Sequence, residues 1–328
     1  MGGILVTGSA GHLGEAILRT LRSRGETAAG LDIAASPFTD HVGSICDRDL
    51  VARCMDGARA VIHAATLHKP HVATHPRQAF IDTNVSGTLA LLEAAASAGV
   101  EAFVFTSTTS AFGAALSPAL DEPAAWITED VAPIPKNIYG VTKIAAEGLC
   151  ELFARRFELP VTILRTSRFF PEPDDDAEIR SAYEAANAQA NELLNRRADI
   201  EDIVEAHLLA IEAAPRTGFA RYIISATTPF RRSDLPELRT SAEEMVYRLY
   251  PECRSLFAAR GWRPFAELDR VYDNSLARAE LGWRPKYDFA HVLTCLRTGE
   301  DFRSPLARAV GRKGYHPTAF EAGPYPVA

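Results

Sequence analysis

Apolar residues recur along the first 165 positions in two alternating rhythms. Short β-rich runs at 3–7, 27–32, 60–64, 102–107 and 161–165 are separated by stretches with apolar positions at helical spacing. Residues 12–24 carry Leu13, Ile17, Leu18 and Leu21 on one face. Residues 77–98 carry Phe80, Ile81, Val85, Leu89 and Leu92, with Gly99 as a stop, and residues 138–157 form a further helix candidate. Strand and helix alternating at this pitch predict right-handed βαβ units, hence an α/β fold with a doubly wound parallel sheet and helices on both faces.

Beyond residue 168 the rhythm breaks. Residues 171–178 are acidic and turn-rich, and are expected to be exposed. Residues 202–213 read as a helix and 221–225 as one more strand. From 229 the pattern is helical but irregular, with Trp262 and Trp283 each followed by Arg-Pro. The division expected is a nucleotide-binding part at 1–168, to which 196–226 return. A smaller C-terminal substrate-binding region follows at 169–195 and 227–310, and then a Gly- and Pro-rich irregular tail at 311–328.

Charge narrows the class. Lys plus Arg number 35 against 42 Asp plus Glu, a net charge of −7 without a basic run, which weighs against nucleic-acid binding. No apolar stretch approaches the ~20 residues of a membrane helix, and no basic region precedes an apolar one at the N-terminus, so neither a membrane span nor a signal peptide is expected. Cys46, Cys54, Cys150, Cys253 and Cys295 are scattered without a CxxC pair. That weighs against a zinc site or a disulfide framework and fits a reducing cytoplasm.

The segment Thr7-Gly8-Ser9-Ala10-Gly11-His12-Leu13-Gly14 joins the first strand to the first helix. Glycine permits positive φ and lets the backbone approach a pyrophosphate, while the helix start offers unbonded N–H groups and the positive end of its dipole. Asp32 ends the second strand, where a carboxylate either accepts hydrogen bonds from a ribose diol or simply caps a turn. Ile33-Ala34-Ala35 supply no cation for a 2′-phosphate, so NAD is favoured over NADP.

Tyr139 and Lys143 lie four apart on the 138–157 helix, which puts them on one face. A free tyrosine, with pKa near ~10, is a poor base at neutral pH. A neighbouring ammonium favours the phenolate, which then exchanges a proton with a substrate hydroxyl.

The glycine loop, Asp32, His63-Ala64-Ala65, Asn84-Val85-Ser86-Gly87-Thr88, Ser107-Thr108 and Tyr139/Lys143 occur in one order. In that order the chain resembles the extended short-chain dehydrogenase/reductases, specifically their NAD-dependent epimerase/dehydratase branch, from residue 3 to about 225. Asp269–Asp273 and Ala279–Pro285 are similar to that branch's C-terminal segment. The resemblance implies a Rossmann-like fold and the following roles. Gly8, Gly11 and Gly14 form the pyrophosphate loop, with the amides of His12 and Leu13. Asp32 holds the adenosine ribose and Asp47 meets the adenine. Ala64, Ala65, Thr66, Thr106 and Thr166 line the cofactor cleft, with Asn84 behind it. Thr108 is the catalytic hydroxyl, Tyr139 the general acid/base, and Lys143 orders the nicotinamide ribose and lowers the tyrosine pKa. His68 and Thr109 fall at substrate positions. The branch often pairs through two helices, so a homodimer is expected.

Three departures bear on the substrate. Dehydratases of the branch carry Asp-Glu directly after the catalytic threonine; here Thr109-Ser110 follow, which removes the acid and base for dehydration. Arg168 stands where the epimerases carry Asn. It reads either as a contact to an anionic substrate group or as a structural arginine paired with an acid such as Asp199 or Asp202. The stretch Asn195–Asp202 does not return the branch's diphosphate-binding Arg in register, and 172–194 is acidic, which repels a diphosphate. Dehydrogenation of a secondary alcohol on a small sugar, polyol or sugar acid is therefore preferred, with uronate dehydrogenases as one model. The alternatives are a nucleotide-sugar 4-epimerase that retains its NAD, and a non-catalytic NAD sensor, which needs neither Tyr139 nor Lys143. The cluster His68, His71, His75 admits metal binding, a substrate contact by His68, or a solvated loop. No carboxylate or cysteine lies within it, so no metal is expected.

Overall fold

The computed structural model describes residues 2–119, 121–314 and 320. Seven strands form one parallel sheet: β1 (Gly3–Thr7), β2 (Ala28–Asp32), β3 (His41–Val42), β4 (Ala58–His63), β5 (Ala102–Thr108), β7 (Val161–Thr166) and β8 (Phe219–Ile224). Their order is β3-β2-β1-β4-β5-β7-β8. β6 (Ala125–Ile127) and β9 (Arg270–Tyr272) make a separate two-stranded parallel ladder. The central strands read as continuous apolar runs because both faces are covered. On one face Ile17 and Leu18 of α1 (His12–Ser23) pack with Ile203 and Ala206 of α8 (Ile200–Thr217). On the other lie Val51 of α2 (Arg48–Met55), Leu91 of α4 (Gly87–Ala98) and Cys150 and Phe153 of α5 (Ile138–Phe157). Burial of such side chains stabilises by about 1.5–3 kcal/mol each. The Rossmann-like α/β sheet read from the sequence is what the chain forms.

A third core gathers Leu193 and Leu194, Phe230, Met245, Phe257, Val271 and Phe289. Ala277, Leu281, Trp283 and Val310 pack instead with the α1/α8 layer. The Trp283 indole donates to the Asp202 carbonyl at 2.9 Å and ties the C-terminal segment to α8. Because the chain leaves β1 toward β2 and later returns to β4 on its other side, a crevice opens at the carboxyl ends of these two strands.

Two sequence expectations are modified, and one pair of strands went unread. The helix at 77–98 is α3 (Arg77–Phe80), a π-helical turn (Ile81–Ser86) and α4. Periodicity does not resolve one widened turn, and such turns mark functional positions. The ladder strands β6 and β9, three residues each, carry too little pattern to be read. The acidic run at 171–178 is exposed only in its second half. Glu172 and Asp174 are buried, at 6% and 8% exposure, where Arg168 and Arg196 pair with Asp174 and His12 Nε2 lies 3.1 Å from Glu172. α6 (Ala177–Ala182) and α7 (Ala185–Glu192) follow. Residues 311–314 are irregular, and the expected tail beyond them lies, but for Phe320, outside the described residues. Among the described residues no helix is long and apolar enough to cross a membrane.

Candidate active site

A cleft of about 730 Å³ runs over the carboxyl ends of the strands, within the size range of small-molecule sites. At one end lies the glycine loop. Gly8 has φ +74°, and a Cβ on it would stand 2.7 Å from the Ala65 nitrogen; one on Gly14 would stand 2.0 Å from the Gly8 carbonyl oxygen. Only glycine lets β1, the loop and the exit of β4 pack this closely. At Gly11 a Cβ would meet only the Gly8 oxygen, at 3.2 Å, so its other sides are open toward the cleft that it lines. The first amides of α1 follow, without intrahelical acceptors. Asp32 accepts from the amide of Ala10 at 3.0 Å and that of Ala34 at 2.9 Å, which fixes its carboxylate at the cleft edge. A close-approach glycine, helix-start donors and a carboxylate beyond them fit the pyrophosphate and ribose of a dinucleotide.

His12, Leu13, Ala64, Ala65, Thr66, Thr106 and Thr166 also line the cleft. Asp47 does not. It caps α2, accepting from Leu50 N at 3.0 Å, and Gly43, Ser44 and Ile45 border the cleft in its place. Asn84 sits behind the wall in the π-helical turn. It exchanges hydrogen bonds with the backbone of Leu67 and donates to the Thr142 hydroxyl at 3.0 Å, binding the loop after β4 to α5.

At the far end the Tyr139 phenol neighbours the Thr108 hydroxyl. The Thr108 hydroxyl accepts from Ser110 N at 3.0 Å, which orients it. Lys143 donates to the Thr106 carbonyl at 2.7 Å, with its ammonium 4.0 Å from the Phe105 ring centroid. Burial pushes the Tyr139 phenol up to about 12, against the lowering effect of Thr108, and pushes Lys143 down to about 7. In the chain alone desolvation therefore dominates, and the lowering of the tyrosine comes from Thr108 rather than from Lys143 as the sequence led us to expect. A cationic ring bound beside the phenol acts in the opposite direction. Below Lys143 on α5, buried Glu147 receives Ser107 Oγ at 2.6 Å, Arg165 through two bonds of 3.0 and 2.8 Å, and Arg221 at 3.1 Å.

His68, Thr109 and Arg168 all line the cleft, and the His68 ring lies 6.5 Å from that of Tyr139. His68, His71 and His75 stack edge-to-face at 4.7 and 5.1 Å between centroids. Among the described residues no cluster of metal-ligating side chains forms. Arg168 is ion-paired, but with Asp174 and Asp175, both at 3.0 Å, rather than with Asp199 or Asp202. Asp199 caps α8, and Asp202 accepts the amides of Lys286 and Tyr287. Sequence reasoning missed Lys69, Asp175, Arg196, Arg270, Tyr272 and Lys313 on the cleft wall. An acidic run six residues after a lone Arg was the available signal for Asp175. Lys313 carried none; its amide lies 3.1 Å from His12 Nε2 and its ammonium meets Glu15 on the first turn of α1.

Replacing Asp32 by Ala is expected to weaken NAD binding by roughly 10–100-fold, the worth of a hydrogen bond to a charged group, and to narrow the preference over NADP. Calorimetric titration with both dinucleotides measures it; unchanged NAD affinity would remove Asp32 from the ribose site.

Residues 4–222 match the family model described as the NAD dependent epimerase/dehydratase family. A UDP-glucose 4-epimerase of Rhizobium meliloti is 27% identical over 325 residues, covering 88% of this chain and 94% of the relative. The y4nG protein of Sinorhizobium fredii is 31% identical over 170 residues, 49% of this chain and 39% of that relative. Among solved structures, a short-chain dehydrogenase/reductase superfamily protein from Agrobacterium tumefaciens with bound NAD aligns at 25% identity. Its TM-score is 0.63, over 93% of this chain and 98% of that one.

Proposed function

This chain belongs to the NAD-dependent epimerase/dehydratase family, and from that premise we propose that it oxidises a secondary alcohol of a small sugar, polyol or sugar acid, or reduces the matching ketone. It is an NAD-dependent enzyme of the epimerase/dehydrogenase type. NAD supplies the hydride acceptor. Tyr139 takes the hydroxyl proton, Thr108 hydrogen-bonds the same oxygen, and Lys143, held on the Thr106 carbonyl, orders the nicotinamide ribose. Thr109 and Ser110 follow Thr108, so no carboxylate stands there to eliminate water.

The observation that carries the choice of a small substrate is the pairing of the cations at the far end of the cleft. Lys69 meets Asp175, Arg168 meets Asp174 and Asp175, Arg196 meets Asp174 and Glu192, and Arg270 meets Asp269. A diphosphate entering there competes with four carboxylates for those cations, whereas sugar hydroxyls do not. The R. meliloti relative keeps the second reading, a nucleotide-sugar 4-epimerase, in play. NADH absorbance separates the two. With free NAD and a panel of aldoses, polyols, sugar acids and nucleotide sugars, a dehydrogenase accumulates NADH in proportion to substrate. Interconversion of a nucleotide sugar without net NADH would replace this reading by the second.

A homodimer is supported by the apolar side chains left exposed on α5, Val141 at 50% and Leu152 at 47%, three turns apart on one face. A reducing compartment is supported by free thiols at all five cysteines.

A further inference from the structure

We propose that Asp175 sets the charge of the accepted substrate: its carboxylate fills the anion site made by Lys69 and Arg168, so that uncharged sugars and polyols are taken and sugar acids are refused. This rests on the dehydrogenase reading of the same cleft and narrows its substrate.

The two cations come from opposite walls. Lys69 follows β4 and Arg168 follows β7, and both, with Asp175, line the cleft. Asp175 accepts from Arg168 Nη1 at 3.0 Å with one oxygen and from Lys69 with the other. The side chains keep 16%, 33% and 15% exposure for Arg168, Lys69 and Asp175, so the triad faces the lumen. It lines the same cleft as Tyr139, and His68, next to Lys69 in the chain, has its ring 6.5 Å from that of Tyr139 and 5.6 Å from that of Phe170.

Asp174 also meets Arg168 Nη1, at 3.0 Å, but has a second task. It is buried, accepts from the Asp176 amide at 2.8 Å and from Arg196 at 3.0 Å, and so holds the turn itself. Asp175 is the carboxylate the turn presents to the cleft. Although burial works to raise it, Lys69 and Arg168 hold it well below the usual carboxylate range, and it stays charged.

A planar arginine fork beside an ammonium is what a substrate carboxylate would seek. Here Asp175 and Asp174 share its Nη1, the Pro173 carbonyl holds its Nη2 and Asp175 holds the ammonium, so an incoming carboxylate must displace a tethered one or sit against it. Hydroxyl groups face no such conflict. One donates to a free lone pair of Asp175 while its neighbour accepts from the Lys69 ammonium, and a vicinal diol does both.

The test compares wild type with Asp175→Asn and with the double variant Lys69→Met/Asp175→Asn. Each, loaded with NAD, is titrated calorimetrically with D-galactose and D-galacturonate, and NADH formation is read in parallel. Wild type is expected to bind the neutral sugar. Asp175→Asn is expected to move the affinity ratio toward the acid by about ten-fold or more, as removal of a like charge does, and the double variant to give most of that back. A wild type that prefers galacturonate, a ratio unmoved in Asp175→Asn, or no heat with either sugar in any form would overturn the assignment. A shifted ratio without NADH from any form would sustain it and sink the dehydrogenase reading instead.

Discussion

Tyr139→Phe is expected to lower kcat by about 10²–10⁴-fold, the range that a positioned acid/base contributes, while NAD affinity stays within a few-fold of wild type. The separation follows from where the residue sits. Its ring is packed at 8% exposure near the start of α5, and only the hydroxyl reaches Thr108. Phenylalanine keeps the ring and loses one hydrogen bond, worth about 1 kcal/mol of stability. The glycine loop and Asp32, at the other end of the cleft, are untouched. The pH dependence carries a sign as well. Burial pushes the phenol up to about 12 in the chain alone, so oxidation, which needs the phenolate, accelerates with rising pH, whereas reduction, which needs the phenol, stays level until the pH nears that value. The acceleration should vanish in Tyr139→Phe. Stopped-flow NADH traces across pH measure it, and a variant that keeps wild-type kcat would end the role of Tyr139.

The largest loss of stability is expected from Glu147→Leu, about 3–5 kcal/mol, the cost of leaving buried charges without their partner. Arg165 is 3% exposed and Arg221 26%, and both converge on this carboxylate. With leucine in place, Arg165 keeps its charge inside the fold, because guanidinium does not give up its proton. The damage reaches the site, since Ser107 and Lys143 lie directly above. Urea unfolding gives the number; a loss under about 1 kcal/mol would mean that water reaches both guanidinium groups.

How much of this could be read in advance differs by element. The strands and the helices α1, α5 and α8 were legible because each buries a face, and a buried face leaves its period in the sequence. The glycine loop was legible because close packing against the exit of β4 admits no Cβ. That Tyr139 and Lys143 share one helix followed from their spacing. The acidic turn was misread for a physical reason. Composition says that Asp174 and Asp175 prefer water, and only the tertiary approach of Lys69, Arg168 and Arg196 makes their burial tolerable. Asp47, which the family resemblance assigned to the adenine, caps α2 with one carboxylate oxygen, a role that its place at the helix start already explains. The π-helical turn is a single local widening, and Asn84 within it gains its role from Leu67 and Thr142, both outside the window that periodicity surveys.

The contact of Lys313 with the first turn of α1 bears on how the protein is made. The Lys313 amide and His12 stand 301 positions apart in the chain. On a ribosome adding about 5–20 residues per second, that interval is on the order of 15–60 s. The first turn of α1 therefore leaves the exit tunnel about that long before Lys313 does. Through that interval the nascent protein holds the start of α1 open on that side.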